Sequence, residues 1–264
     1  MVNESNVVAS DSLKVIEGKV PAVTAGFWLI KILATTLGET GGDAVTMSMN
    51  LGYLVGTGIF GIIFAIAVCG QVAARRFHPF LFWFVIIATT TCGTTLADFC
   101  DRSLHIGYAG GSALLLALLL SSLAIWKFTL GSVAITHIKS RKHEIFYWIT
   151  VMFSQTLGTA LGDWAADKDG GLGLGYGGGA ILFGALLAII CALYFFTKTS
   201  RVALFWAAFI LTRPLGATVG DFLDKPIDHG GLALSRYAAS GVIAAVLLAL
   251  VIFIPQKAER VESQ

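Results

Sequence analysis

Residues 36–43 read Thr-Leu-Gly-Glu-Thr-Gly-Gly-Asp, and three further segments, 91–98, 156–163 and 214–221, follow the same pattern. These segments read Thr-Cys-Gly-Thr-Thr-Leu-Ala-Asp, Thr-Leu-Gly-Thr-Ala-Leu-Gly-Asp and Pro-Leu-Gly-Ala-Thr-Val-Gly-Asp. In every copy a glycine lies five residues before the final aspartate, and a second small residue directly precedes that aspartate. Four copies of one pattern indicate an internal repeat.

The four copies lie in a very hydrophobic chain. Of its 264 residues 56% are hydrophobic and only 13% are charged, which excludes a water-soluble globular domain. A helix needs roughly 20 apolar residues to cross the hydrocarbon core of a bilayer. Such runs lie near residues 22–43, 50–74, 79–98, 106–128, 144–163, 173–196, 202–221 and 232–254. We therefore predict an all-α polytopic membrane protein with about eight transmembrane helices.

Each copy of the pattern ends an odd-numbered span and is followed by a turn and a returning apolar span. The repeat unit is therefore a helical hairpin, and successive units enter the membrane in the same direction as parallel repeats about an axis near the membrane normal. We predict a single transmembrane domain, 22–254, between polar tails at 1–21 and 255–264. Its hairpins are predicted at about 22–74, 79–128, 144–196 and 202–254.

Charge is distributed unevenly among the connections. Alternate connections are basic, as at Arg75 and Arg76 or at Arg141 and Lys142, whereas the others are acidic and rich in glycine. Cytoplasmic loops of membrane proteins carry an excess of lysine and arginine. We therefore predict that both termini are cytoplasmic and that the aspartate ends of the odd spans face outward.

The repeated aspartates indicate a shared use. An aspartate at the centre of a membrane-spanning helix costs about 2.5–3.5 kcal/mol, and less near the interface. A carboxylate at a helix C-terminus also meets the negative end of the helix dipole, so interfacial placement explains it poorly. Converging carboxylates bind cations. The predicted cation ligands are Asp43, Asp98, Asp163 and Asp221, with Glu39 on the same helix face as Asp43.

Hydroxyl groups near these carboxylates add oxygen ligands, which hard cations prefer. The predicted supporting residues are Thr36, Thr40, Thr91, Thr95, Thr156 and Thr218. No histidine, cysteine or methionine recurs at matching positions, which argues against copper or zinc and leaves Mn²⁺, Mg²⁺, Ca²⁺, Na⁺ or H⁺. Crowded carboxylates repel one another, which raises some of their pKa values and favours binding of protons. A cation that displaces these protons on binding would couple cation transport to proton transport.

Two basic residues interrupt the apolar runs. Lys31 precedes Asp43 by about three turns, and Arg213 lies next to Pro214, which would kink or loosen its helix. A basic residue inside the membrane is a functional hypothesis with a nearby acid as its partner. Lys31 and Arg213 are predicted to be internal counter-ions of the acidic site, and a fixed structural ion pair is an equally good interpretation.

The small residues of the repeat have the small-x-x-x-small spacing that lets membrane helices approach closely. We predict that they mainly serve helix packing. These residues are Gly38, Gly42, Gly93, Gly158, Gly162, Gly216 and Gly220.

Motifs of several enzyme classes are missing. The chain has no Walker motif, no H-E-x-x-H and no G-x-S-x-G, so we predict that it is not an enzyme and has no tightly bound cofactor or nucleic-acid partner. The predicted partners are the lipid bilayer and a metal cation. Open alternatives are a channel or carrier for protons, Na⁺ or a small organic solute, and a membrane subunit without transport activity. The sequence also leaves open whether a homodimer completes the site.

At its four motifs, from about residue 24 to residue 254, the sequence resembles an uncharacterised bacterial inner-membrane family whose members are labelled membrane-anchored protein. It departs from the strict pattern at Ala97 and Pro214. The resemblance implies a location in the bacterial inner membrane and a link with manganese export. Together with the carboxylates it leads to the prediction of a Mn²⁺ efflux transporter.

Overall fold

A computed structural model describes residues 16–138 and 140–261 of the chain. Residues 1–15, most of the predicted N-terminal tail, lie outside the described part, as do Lys139 and residues 262–264. The described part contains eight α-helices, which confirms the predicted all-α fold. They are α1 (Ala25–Asp43), α2 (Gly52–Ala73), α3 (Pro79–Asp98), α4 (Tyr108–Leu130), α5 (Arg141–Ala166), α6 (Gly175–Phe196), α7 (Arg201–Asp224) and α8 (Arg236–Phe253).

Local sequence signals set several helix ends. The Thr24 hydroxyl accepts a hydrogen bond from the Phe27 amide at the start of α1, and Ser235 caps α8 in the same way. Pro79 occupies the first position of α3, where its missing N–H would have no helical partner. Gly131 follows α4 with a φ of 80°, a left-handed conformation that glycine adopts without strain.

The odd-numbered helices form a closed ring. Around this ring α1 packs on α3 and α7, and α5 packs on the same two helices from the other side. The even-numbered helices form an outer layer in which α2 packs on α3, α4 on α5, α6 on α7 and α8 on α1. Each even helix therefore packs mainly on the odd helix of the next repeat, and α8 completes the ring by returning to α1.

The two layers differ in polarity. Six of the described helices are long and apolar enough to cross a membrane: α2, α3, α4, α6, α7 and α8. In the most apolar 18-residue stretch of each even helix, only 11 to 17% of the residues are buried inside the protein. The corresponding fraction is 72% for α3 and 56% for α7. Apolar side chains on the outside suit lipid, since the bilayer core offers no partner to polar groups. Helices α1 and α5 carry more polar residues and lie within the ring.

Two short strands, β1 (Ile16–Pro21) and β2 (Ala258–Val261), pair antiparallel beside the N-terminal ends of the odd helices. Both strands lie in segments predicted only as polar tails, 1–21 and 255–264, so their pairing was not predicted. An ion pair links β1 to the ring, because Lys19 Nζ lies 2.7 Å from Oε1 of Glu144 in α5. We call this end of the ring the strand end, and the end where the odd helices reach their aspartates the aspartate end.

An aromatic layer fills the ring near the strand end. Each neighbouring pair of odd helices contributes at least one contact between rings, with centroids 5.5 to 6.5 Å apart. One contact from each pair is Phe27 with Trp83, Phe82 with Trp148, Tyr147 with Trp206, and Phe205 with Phe27. Each such pair adds about 0.5–1.5 kcal/mol beyond the burial of its surface. The layer closes this end of the ring.

The repeat glycines lie where adjacent odd helices touch. The first glycine of each copy faces a side chain of the next odd helix, and a Cβ at that glycine would collide with it or crowd its backbone. In ring order the pairs are Gly38 with Thr90, Gly93 with Gln155, Gly158 with Arg213, and Gly216 with Thr35. A second set of contacts lies one turn closer to the aspartates: Gly42 with Thr94, Gly162 with Ala217, and Gly220 with Glu39. The same packing arrangement thus recurs around the ring.

Candidate cation-binding site

One turn before the aspartates, polar side chains from all four odd helices meet. Glu39, Thr94 and Thr159 occupy the same repeat position, four residues before each aspartate. The fourth copy has Ala217 there, and Arg213 reaches up from one turn deeper in α7. We call these four polar residues, Glu39, Thr94, Thr159 and Arg213, the central cluster.

Arg213 joins the central cluster. Its Nη2 donates to Glu39 Oε2 at 2.9 Å, Thr94 Oγ1 at 2.5 Å and Thr159 Oγ1 at 2.6 Å. The Thr94 hydroxyl lies 3.2 Å from the same Glu39 oxygen. Arg213 is 0% exposed and Glu39 is 2% exposed, so this charge pair is shielded from solvent. A single guanidinium therefore connects α7 to the other three helices of the ring.

The four repeat aspartates form two bridged pairs in the next layer. Arg102 lies 3.1 Å from Asp98 and 3.4 Å from Asp163. Lys225 lies 3.1 Å from Asp221 and also forms an ion pair with Asp43. Each bridging cation stands four residues after one of its aspartates, at the spacing at which side chains on a helix face meet. The structure thus brings all four predicted aspartates together with two basic residues.

Lys225 lies just beyond α7 and is itself buried. Burial lowers the pKa of its ammonium group, but Asp221 and Asp43 raise it by more, so that the pKa lies well above its ordinary value. The two carboxylates therefore favour the charged form of Lys225. Arg236 adds a partner for Asp224 at 3.3 Å and lies 3.9 Å from Asp43.

Glu39, Asp43 and Asp221 form a candidate metal centre. One carboxylate oxygen from each lies within 4.8 Å of the others, and all three side chains are buried. Hard divalent cations hold oxygen ligands at about 2.0–2.6 Å, so oxygens around one ion lie up to about 5 Å apart. The Oδ1 atom of Asp43 has no hydrogen-bond partner among the described residues. The spacing and the donor type therefore fit a hard cation.

A cavity of about 260 Å³ opens at the aspartate end. Asp163 and Arg102 form part of its wall, together with Tyr108 and Tyr176 from the first turns of α4 and α6. Loop residues Asp167, Lys168, Asp169 and Asp228 also line it. The described structure therefore offers Asp163, one of the bridged aspartates, an opening at one end of the ring, while the aromatic layer fills the other end.

The six predicted supporting threonines lie near the carboxylates in sequence, but their hydroxyls donate to backbone carbonyls instead of carboxylates. The hydroxyls of Thr36, Thr40, Thr91, Thr95, Thr156 and Thr218 each donate to a carbonyl three or four residues earlier in their own helix. Threonine in a helix commonly bonds in this way. The hydroxyls that reach the central cluster belong instead to Thr94 and Thr159.

The two predicted counter-ions behave differently. Arg213 pairs with Glu39 because it lies only one turn below it in the ring. Lys31 stands eight residues before Glu39, about 12 Å along the helix axis. Its Nζ lies 3.5 Å from Thr212 Oγ1 and 4.2 Å from the centre of the Phe209 ring, and it pairs with no carboxylate among the described residues. The structure thus differs from the prediction for Lys31.

Four residues of the site were not predicted from the sequence: Thr94, Thr159, Arg102 and Lys225. Two signals were available. Thr94 and Thr159 align with Glu39 when the copies are superimposed, and Arg102 and Lys225 follow an aspartate by four residues.

The comparison with protein families covers most of the chain. Residues 26–77, 81–132, 146–200 and 204–254 each match a family described as Repeat of Unknown Function (DUF347). Each match contains one odd helix and the even helix that follows it. This confirms the fourfold internal repeat. No curated protein and no solved structure matches the chain. The chain belongs to the Repeat of Unknown Function (DUF347) family.

Proposed function

We propose that the protein is a membrane transporter of a hard divalent cation, with Mn²⁺ as the first candidate. The observation that carries the proposal is the group of three buried carboxylates, Glu39, Asp43 and Asp221, whose oxygens lie within 4.8 Å of one another. Burying several carboxylates together is costly unless cations neutralise them. All three come from one chain, so the proposed site needs no second subunit.

Lys225 is the resident counter-ion in this proposal. Its ammonium group bridges Asp43 and Asp221, two of the three candidate ligands. Lysine is a compact charge on a flexible stem, so it is able to leave when a divalent cation arrives. An incoming divalent cation thus takes the place of the Lys225 ammonium group beside Asp43 and Asp221. Protons that leave the remaining carboxylates provide a route to proton coupling.

The access route follows from the two ends of the ring. A cation enters or leaves at the aspartate end through the cavity beside Asp163. Transport then requires the aromatic layer at the strand end to open. With cytoplasmic termini in a bacterial inner membrane, as the basic connections favour, the aspartate end faces outward and export releases the cation there. The proposal involves no enzymatic step and no bound cofactor.

The double variant Asp43→Asn/Asp221→Asn tests this function. The purified protein is reconstituted into liposomes. The liposomes enclose a fluorescent dye that responds to the cation under test, and Mn²⁺, Mg²⁺, Ca²⁺ and Na⁺ are added outside in separate experiments. We expect flux of one divalent cation in the wild type and a loss of at least tenfold in the variant, because two of three ligands become neutral. Metal content of cells lacking the protein should rise for the same cation.

The matched control is Glu144→Gln, which removes a buried carboxylate at the strand end, where it pairs with Lys19. It should retain flux if the aspartate end holds the site. Flux that is unchanged in the double variant, or absent for every divalent cation, contradicts the proposal. In the latter case Na⁺ flux or acidification of the liposomes would identify the monovalent alternative.

Lys225→Gln tests the counter-ion. Without metal, the variant should unfold at a lower temperature than the wild type, because Asp43 and Asp221 lose their shared cation. Its Mn²⁺ affinity should rise about tenfold or more, since close charge pairs contribute at least about 1.5 kcal/mol. Thermal unfolding with and without Mn²⁺ measures both effects. Lys127→Gln removes an exposed charge at the far end of α4 and should change neither. Equal affinities in the wild type and Lys225→Gln would exclude a competing role for Lys225.

A further inference from the structure

One turn below the central cluster lies a layer of buried polar atoms without partners. Thr90, Gln155 and Arg213 share one repeat position, eight residues before the aspartate, on three consecutive helices of the ring. Thr90 Oγ1, Gln155 Oε1 and Gln155 Nε2 have no hydrogen-bond partner among the described residues, and neither does the adjacent Ser154 Oγ. The side chains of Thr90, Ser154 and Gln155 are all fully buried. We call Thr90, Ser154 and Gln155 the lower layer.

Such a set of atoms is unusual, because buried polar groups in folded proteins nearly always have partners. In a membrane bundle the missing partners are harder to replace by bulk water. The lower layer offers acceptor oxygens from a glutamine and two hydroxyls. A guanidinium, which carries five N–H donors, would satisfy several of them at once.

Arg213 carries such donors and shares the repeat position of Thr90 and Gln155. Its backbone belongs to the level of the lower layer, and only its side chain extends up to Glu39. Its Nε and Nη1 atoms have no partner among the described residues, although its Nη2 has three. The side-chain stem passes Gly158, which has no side chain to hold it in place. Pro214 follows directly and lacks the backbone N–H of a regular helix.

Electrostatics gives a reason for Arg213 to move. Its Nη2 lies 2.9 Å from Glu39 Oε2, and Glu39 is one of the three candidate metal ligands. A divalent cation bound to Glu39 would stand within a few ångströms of the guanidinium in a buried setting, where like charges repel strongly. The cation and the guanidinium therefore compete for Glu39.

We propose that Arg213 alternates between two levels of the ring, pairing with Glu39 when no cation is bound and with the lower layer when a cation occupies Glu39. The involvement of the cation rests on the proposed function above. Gln155 Oε1 is the main acceptor of the lowered guanidinium. Arg213 is thus a positioning residue: its side chain moves toward the middle of the bundle when the cation site is occupied.

Two substitutions of Gln155 shift cation affinity in opposite directions. Gln155→Leu removes the lower acceptor, so Arg213 stays on Glu39 and the Mn²⁺ affinity should fall at least fivefold. Gln155→Glu attracts Arg213 downward, and the affinity should rise at least fivefold. Binding is measured by calorimetry on purified protein. Gln71→Leu and Gln71→Glu make the same exchanges at a buried glutamine near the strand end and should leave affinity unchanged. An affinity in Gln155→Leu equal to that of the wild type would overturn the proposal.

A second measurement needs no metal. Glu39→Gln deprives Arg213 of its carboxylate and should lower the unfolding temperature clearly in the wild-type background. In the Gln155→Glu background the same substitution should cost less than half as much, because Arg213 has a second carboxylate within reach. Equal losses in both backgrounds would show that Arg213 does not reach the lower layer. This cycle decides the movement of Arg213 even if no divalent cation binds, whereas cation binding without any effect of Gln155 would leave the proposed function standing alone.

Discussion

Replacing Arg213 with glutamine is expected to destabilise the protein by about 3–5 kcal/mol, the loss typical when one member of a buried ion pair is removed. Three partners on three other helices lose their shared donor, and Glu39 keeps a buried charge without its counter-ion. Thermal or denaturant unfolding of the purified protein in detergent, followed by size-exclusion chromatography, measures the loss. Much of the protein should aggregate or fail to reach the membrane.

The double variant Glu39→Gln/Arg213→Gln provides the control for this prediction. It removes both charges, so it should recover a large part of the stability that Arg213→Gln loses. Arg201→Gln changes an exposed arginine at the start of α7 and should have little effect. If Arg213→Gln unfolds at the temperature of the wild type, the guanidinium does not hold the four helices together.

Gly93→Ala is expected to cost about 1–3 kcal/mol, the usual loss when an extra carbon is forced into a packed interior. A Cβ at this position would lie 3.0 Å from the backbone carbon of Gln155 and 3.0 Å from the backbone nitrogen of Thr156. Backbone atoms cannot rotate away as a side chain can, so α3 and α5 would have to separate. Unfolding temperature in detergent gives the measurement.

Gly41→Ala is the matched control within the same repeat pattern. A Cβ at Gly41 meets no atom within 4 Å, and the residue lies inside α1. Alanine there should be neutral or stabilise by about 0.5–1 kcal/mol, because glycine disfavours a helix interior. Equal effects of the two substitutions would mean that contact between α3 and α5 does not depend on the missing side chain of Gly93.

The four odd helices pack in a nearly fourfold symmetric ring, but the copies of the repeat differ in the residues that form the candidate site. The packing contacts and the four aspartates recur around the ring, whereas Glu39 and Arg213 each occur in one copy only. Glu39 stands where the second and third copies have a threonine and the fourth has an alanine. Arg213 stands where the other copies have Thr35, Thr90 and Gln155. The ring therefore aligns four helices, and the departures from the repeat create one ion pair and one candidate cation site within it.

Much of this could be predicted from the sequence. The apolar runs are local features, because roughly 20 consecutive residues decide whether a helix spans a membrane. The repeat pattern is local too, since a glycine and an aspartate at constant spacing must share a helix in every copy. For these reasons the helices, the hairpin repeat and the choice of Asp43, Asp98, Asp163 and Asp221 followed from the chain alone.

The remaining features depend on distances between helices. The packing of α2 on α3 instead of α1 is a choice between two neighbours in sequence that only the packed ring decides. The closure of the ring by α8 and the pairing of β1 with β2 join segments far apart in sequence. The partners of the charges were decided in the same way: Lys225 reaches Asp43 at the end of the neighbouring helix α1, and Arg213 reaches Glu39 of the same helix. Lys31 lies too deep to reach a carboxylate among the described residues. Residue spacing sets which face of a helix a side chain occupies, but only the packed ring brings faces of different helices within the few ångströms over which an ion pair forms.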